Sequence, residues 1–176
     1  AITHKLQDVA AGRIRRLIIS IPPRQLKTVI GSAVFPAWLL GRDAAKCVIC
    51  VSYAQELVAR AGNDFRLLMQ SERYRRIFPK TRITLKNTEV EIRTSRQGGR
   101  WNTSIGGSLT GLGGDILIID DPMKADEANS EKARNAVWEW WRTAAVSRLN
   151  NPATGAIVVI AQRLHVDDLI GHLTAE

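Results

Sequence analysis

A short loop between two apolar segments limits the fold of this chain more than any other feature of its sequence. The loop follows Leu17-Ile18-Ile19, which is typical of a buried strand, and precedes Val29–Val34, which is typical of the start of a helix. It ends in Lys27-Thr28. Strand, tight loop, Lys-Thr and helix in this order predict a phosphate-binding loop, in which backbone amides and the helix N-terminus converge on an anion.

Each residue of this loop has an expected role. Lys27 supplies a point charge for the β and γ phosphates of a nucleotide, and the Thr28 hydroxyl can ligate Mg²⁺. The loop residues before them are expected to surround the phosphates: Pro23, Arg24, Gln25 and Leu26. The standard pattern has glycines where this chain has Ile21 and Leu26, so the loop by itself is also compatible with a proline-rich turn whose lysine points into solvent.

A second motif, further along the chain, favours the phosphate loop over the simple turn. Four apolar residues from Ile116 to Ile119 run directly into Asp120 and Asp121, as in a buried parallel strand with carboxylates at its C-terminal end. Ligands of open α/β sheets bind at that edge. Asp120 is therefore expected to hold Mg²⁺, and Asp121 is expected to orient or deprotonate the attacking water.

Composition and charge restrict the class of protein. The chain has 176 residues, of which 45% are hydrophobic, so residues 1–176 are expected to form a single domain with a real core. No apolar run approaches the roughly 18 residues needed to span a membrane. The N-terminus lacks a signal-peptide pattern, so we expect no secretion and no membrane partner. A net charge of +8 and a pI of about 10.1 favour a polyanionic partner such as nucleic acid.

The order of patterns along the chain predicts an α/β fold with a mostly parallel central sheet flanked by helices. Buried strands are expected at 16–20, 47–51, 115–120 and 156–161, with helices between them. Alternating residues predict a short antiparallel strand insertion around 82–105. Three local expectations concern the helices: Pro36 kinks or interrupts the first long one, Ser52 and Gln55 form a capping box, and Asp167 caps the last one.

Polar residues also follow the last predicted strand. Gln162 and Arg163 come directly after the apolar run at 156–161. Because the carboxyl ends of parallel strands meet at one edge of the sheet, we expect both side chains to face the same site as Lys27 and Asp120. The nearby His165 and its neighbouring acids are expected to be a helix cap and surface groups, not a metal site.

Several segments, in this order, resemble the large terminase subunits of tailed phages and prophages. The resemblance covers nearly the whole chain and rests on the segments at 22–28, 35–41, 52–53, 74–79, 110–122 and 161–169. The first segment resembles a modified Walker A motif, the one ending in Asp120-Asp121-Pro122 a Walker B motif, and the last a coupling motif. The chain departs from the family pattern at Leu26, where glycine is usual, and at Asp121, where many members carry Glu.

The resemblance implies a DNA-packaging motor domain with the P-loop NTPase fold of the ASCE type. It implies ATP and Mg²⁺ as cofactors, and hydrolysis of ATP that powers translocation of double-stranded viral DNA into a procapsid. It gives catalytic roles to Lys27 and Asp121, and it adds Arg24, which would sense or stabilise the γ-phosphate. Gln162 and Arg163 would couple hydrolysis to movement. The nuclease domain that follows the ATPase domain in full-length members is expected to be absent from this chain.

The same resemblance implies partners and a place of action. Family members work as homo-oligomeric rings, commonly pentamers, on the portal protein of an empty capsid in the host cytoplasm, and a small terminase subunit supplies the DNA. The isolated chain is expected to be a monomer and a weak ATPase. The main alternative is a non-catalytic nucleotide- or DNA-binding module with a degenerate phosphate loop. A helicase-like ATPase would need a second RecA-like domain, and a nuclease would need a cluster of acids around two metals.

Overall fold

The computed structural model describes residues 1–107, 111 and 113–175, which form seven strands and six α-helices. The strands are β1 Arg16–Ser20, β2 Cys47–Ser52, β3 Ile83–Asn87, β4 Glu91–Thr94, β5 Gly99–Ser104, β6 Ile116–Asp120 and β7 Ala156–Ala161. The α-helices are α1 Ile2–Ala10, α2 Phe35–Arg42, α3 Gln55–Gln70, α4 Glu72–Ile77, α5 Glu131–Trp140 and α6 Leu169–Ala175. Turns of π-helix lie at Val29–Val34 and Trp141–Ala145, and turns of 3₁₀-helix at Ala125–Glu127 and Val146–Arg148.

The strands form one sheet in the order β1-β7-β6-β2-β5-β4-β3. The strands from β1 to β5 in this order are mutually parallel, whereas β4 pairs antiparallel with both β5 and β3. The predicted α/β class with a mostly parallel sheet is therefore confirmed. The insertion predicted around 82–105 supplies β3, β4 and β5. Since β5 also pairs parallel with β2, the insertion extends the central sheet and does not form a sheet of its own.

Each face of the central strands packs against helices through its own hydrophobic cluster, and a third cluster joins α2, α3, α4 and β4. Strand β6 alternates between the two faces, with Ile116 and Ile118 on one face and Leu117 and Ile119 on the other. The first face packs against α1, α2 and α3 through residues such as Leu6, Phe35 and Val58, and the second against α5 and α6 through Val137, Trp140 and Leu169. Because both faces are covered, β6 and β7 are buried along their whole length, which explains their continuous apolar sequences.

The helix after the predicted phosphate loop runs unbroken from residue 27 to residue 42. Pro36 does not interrupt it, and the expected irregularity takes the form of the π-helical turn at Val29–Val34 that precedes α2. Proline has no backbone N–H, so the carbonyl of Ser32, four residues earlier, lacks its usual α-helical donor. This carbonyl is therefore open to a donor from elsewhere in the protein.

Gly31 allows this helix to lie close to the sheet. A Cβ atom at this position would collide with Cδ1 of Ile160 in β7. The approach brings the start of the helix toward the carboxyl ends of β6 and β7. The predicted phosphate loop and the two acids at the end of β6 consequently share one edge of the sheet.

Two of the helix caps predicted from local pattern, those at Ser52 and Asp167, are wrong, whereas a cap at Ser130 is present, since its hydroxyl accepts from the Ala133 amide at 3.3 Å. Helix α3 begins at Gln55 after Ala54, and Ser52 ends β2, where its hydroxyl donates to the carbonyl of Asp121 at 3.2 Å. Helix α6 is capped by Asp168, not Asp167, because Oδ1 of Asp168 accepts from the Gly171 amide at 2.8 Å. Asp168 is buried, whereas Asp167 is exposed. Tertiary packing therefore decides which of two adjacent acids caps the helix.

No helix in the described ranges is both long enough and apolar enough to cross a membrane. The segment at 110–122 that resembles a Walker B motif includes Thr110 and Leu112, which lie outside the described residues. Strand β6 and the two acids that complete this motif are described.

Candidate active site

The loop between β1 and the first long helix contains two residues with left-handed backbone although it contains no glycine. Arg24 and Leu26 both have left-handed φ values, 63° and 57°. Left-handed residues in such turns aim backbone N–H groups into a concavity that binds anions. This conformation costs about 1–2 kcal/mol for a residue that carries a Cβ. Of the two positions where the standard pattern has glycine, Leu26 has the left-handed φ and Ile21 does not.

A groove runs along this loop. Its volume is about 310 Å³, and its lining consists of Pro23, Arg24, Leu26, Lys27, Thr28, Val29 and Asp121. Five of the six residues predicted to contact a nucleotide therefore border one space, and Gln25 lies exposed beside it without lining it. The groove connects the loop with one of the two acids after β6.

The ammonium group of Lys27 pairs directly with the carboxylate of Asp121, and Nζ lies 2.5 Å from Oδ1. The Lys27 side chain is 7% exposed and that of Asp121 is 32% exposed. The lysine is thus buried and depends on this partner, whereas the carboxylate also has access to solvent. The sequence predicted that both residues serve one site, and the structure brings them into contact.

Asp121 reaches Lys27 because the chain leaves the strand at this residue. Adjacent strand residues point to opposite faces, but Asp121 has a φ of 46° and no longer follows the strand. Its backbone is held on both sides, since its amide donates to the carbonyl of Ile160 at 2.8 Å and its carbonyl accepts from the amide of Tyr53 at 3.1 Å. This left-handed residue turns the second carboxylate toward the loop.

Asp120 lies deeper, at the end of β6, and is 6% exposed. Its Oδ2 accepts a hydrogen bond from the hydroxyl of Ser32 at 2.7 Å, while its Oδ1 has no partner among the described residues. Burial raises the pKa of Asp120, and the hydrogen bond from Ser32 acts in the opposite direction. A buried carboxylate is stable in its charged form only when cations or hydrogen-bond donors compensate for the lost hydration.

The residues around Asp120 fit a magnesium ion. Asp120 and Thr28 line the same cavity, and the oxygens of a carboxylate and a hydroxyl are hard ligands. Among the described residues there is no group of three or more His, Cys, Asp or Glu side chains that could hold a metal. Magnesium typically binds through one or two protein oxygens plus water and substrate phosphates. A small protein ligand set next to a phosphate groove suits that pattern.

The other predicted site residues are placed less centrally. Arg24 is exposed and forms no hydrogen bond or ion pair with any described residue. Gln162 borders a small cavity together with Asp121. Arg163 forms an ion pair with Asp168, with Nε 3.2 Å from Oδ1, and its remaining hydrogen bonds go to carbonyls within the same segment. Arg163 therefore does not contact Lys27 or Asp120, contrary to the expectation that it faces their site.

Two residues of this corner were not predicted from the sequence. Ser32 binds Asp120, and Arg100 of β5 is fully buried and donates from Nη1 to the carbonyl of Ser32. This is the carbonyl that Pro36 leaves without an α-helical donor. The sequence offered one indication of this contact: Pro36 lies four residues after Ser32 in a predicted helix, which leaves the Ser32 carbonyl available to a donor such as Arg100.

The comparisons with known proteins rest on structure. No protein-family model matches the sequence, and a comparison with curated proteins finds no match. The N-terminal domain of the DNA packaging ATPase from bacteriophage phi29 matches with a TM-score of 0.55 and 12% identity, over 96% of this chain and 83% of that chain. The large terminase of bacteriophage HK97 matches with a TM-score of 0.56 and 16% identity, over 94% of this chain and 33% of that chain.

A third solved structure, the large terminase ATPase domain of Thermus phage P74-26, matches with a TM-score of 0.55 and 16% identity. The match covers 85% of this chain and 60% of that chain. At such identities the likeness shows the fold alone. The chain therefore has the mostly parallel α/β fold of phage DNA-packaging ATPase domains, and it spans 33% of the length of the HK97 protein.

Proposed function

We propose that this chain is the ATPase domain of a large terminase subunit, a motor that hydrolyses ATP to drive double-stranded viral DNA into a procapsid. The observation that carries the proposal is the meeting of Lys27, Asp120 and Asp121 beside an anion-binding turn, at the carboxyl edge of a parallel sheet. The fold shared with phage packaging ATPases supports the same function.

In the proposed reaction Lys27 exchanges one anionic partner for another. The phosphates of ATP enter the groove along the loop, and the ammonium group moves from Asp121 to the β and γ phosphate oxygens. The exchange releases the carboxylate of Asp121 at the moment when a nucleotide is present. Asp121 can then orient or deprotonate the attacking water. Nucleotide binding and activation of the base are coupled because one lysine serves both partners.

Thr28 and Asp120 are the residues that would hold Mg²⁺. The ion, when bound, neutralises charge on the β and γ phosphates. Ser32 occupies Oδ2 of Asp120 and leaves Oδ1 for the metal. Thr28 borders both the phosphate groove and the cavity at Asp120, so its hydroxyl is placed between the two.

Arg24 and Gln162 complete the proposed site. The unpaired guanidinium of Arg24 lines the groove and can bind the γ-phosphate. Gln162 adjoins Asp121 and can respond to its release from Lys27. Arg163 belongs to the coupling segment through its ion pair with Asp168 at the start of α6. Changes at the carboxyl edge of the sheet can therefore be passed to α6.

The proposal includes the partners and place of action of a packaging motor. The chain would act on double-stranded DNA in a homo-oligomeric ring, a pentamer by family resemblance, on the portal protein of a procapsid in the host cytoplasm. A small terminase subunit would deliver the DNA. The positive net charge of +8 suits contact with the phosphate backbone.

The test is phosphate release from ATP, measured with and without Mg²⁺ and double-stranded DNA. We expect Mg²⁺-dependent release by the parent chain and loss of nucleotide binding in Lys27→Ala, because the phosphates lose their buried cation. Lys80→Ala is the matched control, since Lys80 is exposed and lies outside the site. Equal turnover by Lys27→Ala and the parent would refute the assignment. Nucleotide binding without any phosphate release, even at high protein concentration, would favour the non-catalytic module instead.

A further inference from the structure

A series of hydrogen bonds joins Asp120 to the turn between β3 and β4. The hydroxyl of Ser32 donates to Asp120 at 2.7 Å, and the carbonyl of Ser32 accepts from Nη1 of Arg100. Nε of Arg100 donates to Oδ1 of Asn102 at 2.7 Å, and Nδ2 of Asn102 donates to the carbonyl of Glu89 at 2.7 Å. Glu89 lies in the turn between β3 and β4, so this series links the antiparallel insertion with Asp120.

The middle of this series of hydrogen bonds is buried, whereas its end at the β3–β4 turn is exposed. Ser32, Arg100 and Asn102 are 2%, 0% and 1% exposed, whereas the turn at 87–90 is exposed throughout. A buried guanidinium loses its hydration, so its hydrogen bonds to protein groups have to replace water. Arg100 is therefore tied to the positions of both Ser32 and Asn102. A displacement of one partner changes the environment of the other.

Three residues around these hydrogen bonds make room for them or pack against them. Pro36 leaves the Ser32 carbonyl free for Arg100. In α3, a Cβ atom at Gly62 would collide with Nδ2 of Asn102, so glycine makes room for the asparagine. Phe65 of the same helix lies under the guanidinium, with its ring centre 5.4 Å from Cζ of Arg100. These three positions come from two helices, α2 and α3, and serve one buried network.

We propose that Ser32, Arg100 and Asn102 are positioning residues for Asp120, and that they couple the β3–β4 turn to metal binding. This inference rests on the proposed function, because it assumes that Asp120 holds Mg²⁺ with a nucleotide. Ser32 fixes one carboxylate oxygen so that the other faces the metal. Arg100 donates to the carbonyl of Ser32, and Asn102 bonds both to Arg100 and to the turn. A movement of the turn would therefore displace Arg100. A macromolecule that binds the exposed turn would thereby change the affinity for Mg²⁺.

The experiment measures binding of a fluorescent ATP analogue while Mg²⁺ is titrated, so that it does not depend on turnover. We expect Ser32→Ala to raise the Mg²⁺ concentration at half-saturation about tenfold, since loss of a group that orients a metal ligand has this order of effect. Ser32→Thr keeps the hydroxyl and should restore the parent value. Asn102→Ala should raise the same concentration about threefold. Binding of the analogue in excess EDTA should stay unchanged in all of them.

Tyr74→Phe is the matched control. The Tyr74 hydroxyl donates to the carbonyl of Ala37 at 2.8 Å, so this variant also removes one buried hydrogen bond to the same helix, but away from Asp120. It should leave the Mg²⁺ requirement unchanged. A thermal melt of every variant separates loss of fold from loss of metal affinity. If Tyr74→Phe shifts the Mg²⁺ titration as much as Ser32→Ala does, helix stability explains the effect and the inference fails.

A double variant tests the coupling itself. If the residues act in series, Ser32→Ala combined with Asn102→Ala should be no worse than Ser32→Ala alone, because the connection is already broken at Ser32. Multiplied effects of the two changes would show independent action and overturn the coupling. A parent chain whose affinity for the analogue does not rise when Mg²⁺ is added would overturn the proposed function as well. A Mg²⁺-dependent parent with equally dependent variants would overturn this inference alone.

Discussion

Replacing Asp121 with Asn should make the protein bind nucleotides more tightly while it stops hydrolysing ATP. In the free protein the ammonium group of Lys27 is held 2.5 Å from the carboxylate of Asp121, and an entering phosphate has to displace that carboxylate. The amide of Asn has nearly the same size but no charge. Lys27 would then be available to the phosphates, and the group proposed to act as the base would be gone.

The size of the effect follows from the exposure of the pair. A hydrogen bond between charged groups contributes about 1.5–3 kcal/mol. The Asp121 side chain is 32% exposed, so solvent weakens this pair. The Lys27–Asp121 pair should therefore contribute about 1–2 kcal/mol, which lies between this value and the less than about 1 kcal/mol of exposed pairs. That free energy corresponds to about five- to thirtyfold tighter binding of ADP or ATP.

The assay is a titration with a fluorescent ADP analogue in excess EDTA, which isolates the contribution of Lys27 from that of the metal. Phosphate release with Mg²⁺ is measured on the same samples. Asp64→Asn is the matched control: it removes the same charge from an exposed residue that borders the adjacent cavity and has no ion pair with any described residue. Unchanged or weaker ADP binding by Asp121→Asn would refute the exchange of partners. Equal gains in both variants would show a general charge effect instead.

Three further predictions concern the same site and its partner. Arg24→Ala should leave ADP affinity unchanged and reduce turnover, because its unpaired guanidinium is assigned to the γ-phosphate; equal loss of ADP affinity would indicate a positioning role. Asp120→Asn should abolish the Mg²⁺ dependence and yet raise the melting temperature at neutral pH. Burial raises the pKa of Asp120, so this acid favours the unfolded state above its unfolded pKa of about 3.9, and the gain in the melting temperature should vanish below that pH. Binding of double-stranded DNA should be independent of sequence and fall steeply between low and moderate salt, since phosphate contacts dominate; salt-independent affinity would contradict a packaging role.

Most of the strands could be predicted from local sequence patterns. Continuous apolar runs predicted β2, β6 and β7, because a strand covered on both faces has no polar side. Alternating residues predicted β4, whose burial alternates because only one of its faces is covered. The order of loop, strand and acids also predicted that Lys27, Asp120 and Asp121 lie at one edge of the sheet.

Local patterns could not predict which of two neighbouring residues makes a given contact. Asp167 and Asp168 are equivalent in sequence as helix caps, and only the packing of the last segment buries Asp168 and turns it toward the Gly171 amide. Arg163 was expected at the site because of its position after β7. Its long side chain instead pairs with Asp168, since a flexible cation binds the nearest buried carboxylate.

The sequence alone determined which chemical groups this protein has and the order in which its strands deliver them to one edge, because the burial pattern of each strand is a local property. It could not show that Asp121 adopts a left-handed backbone without glycine, since that strain is tolerated where contacts distant in sequence, here with Tyr53 and Ile160, stabilise it. Nor could it show that Arg100 reaches Ser32 across 68 positions of the chain. The tertiary structure decided both, because a buried charge is stable only beside partners that the complete fold brings to it.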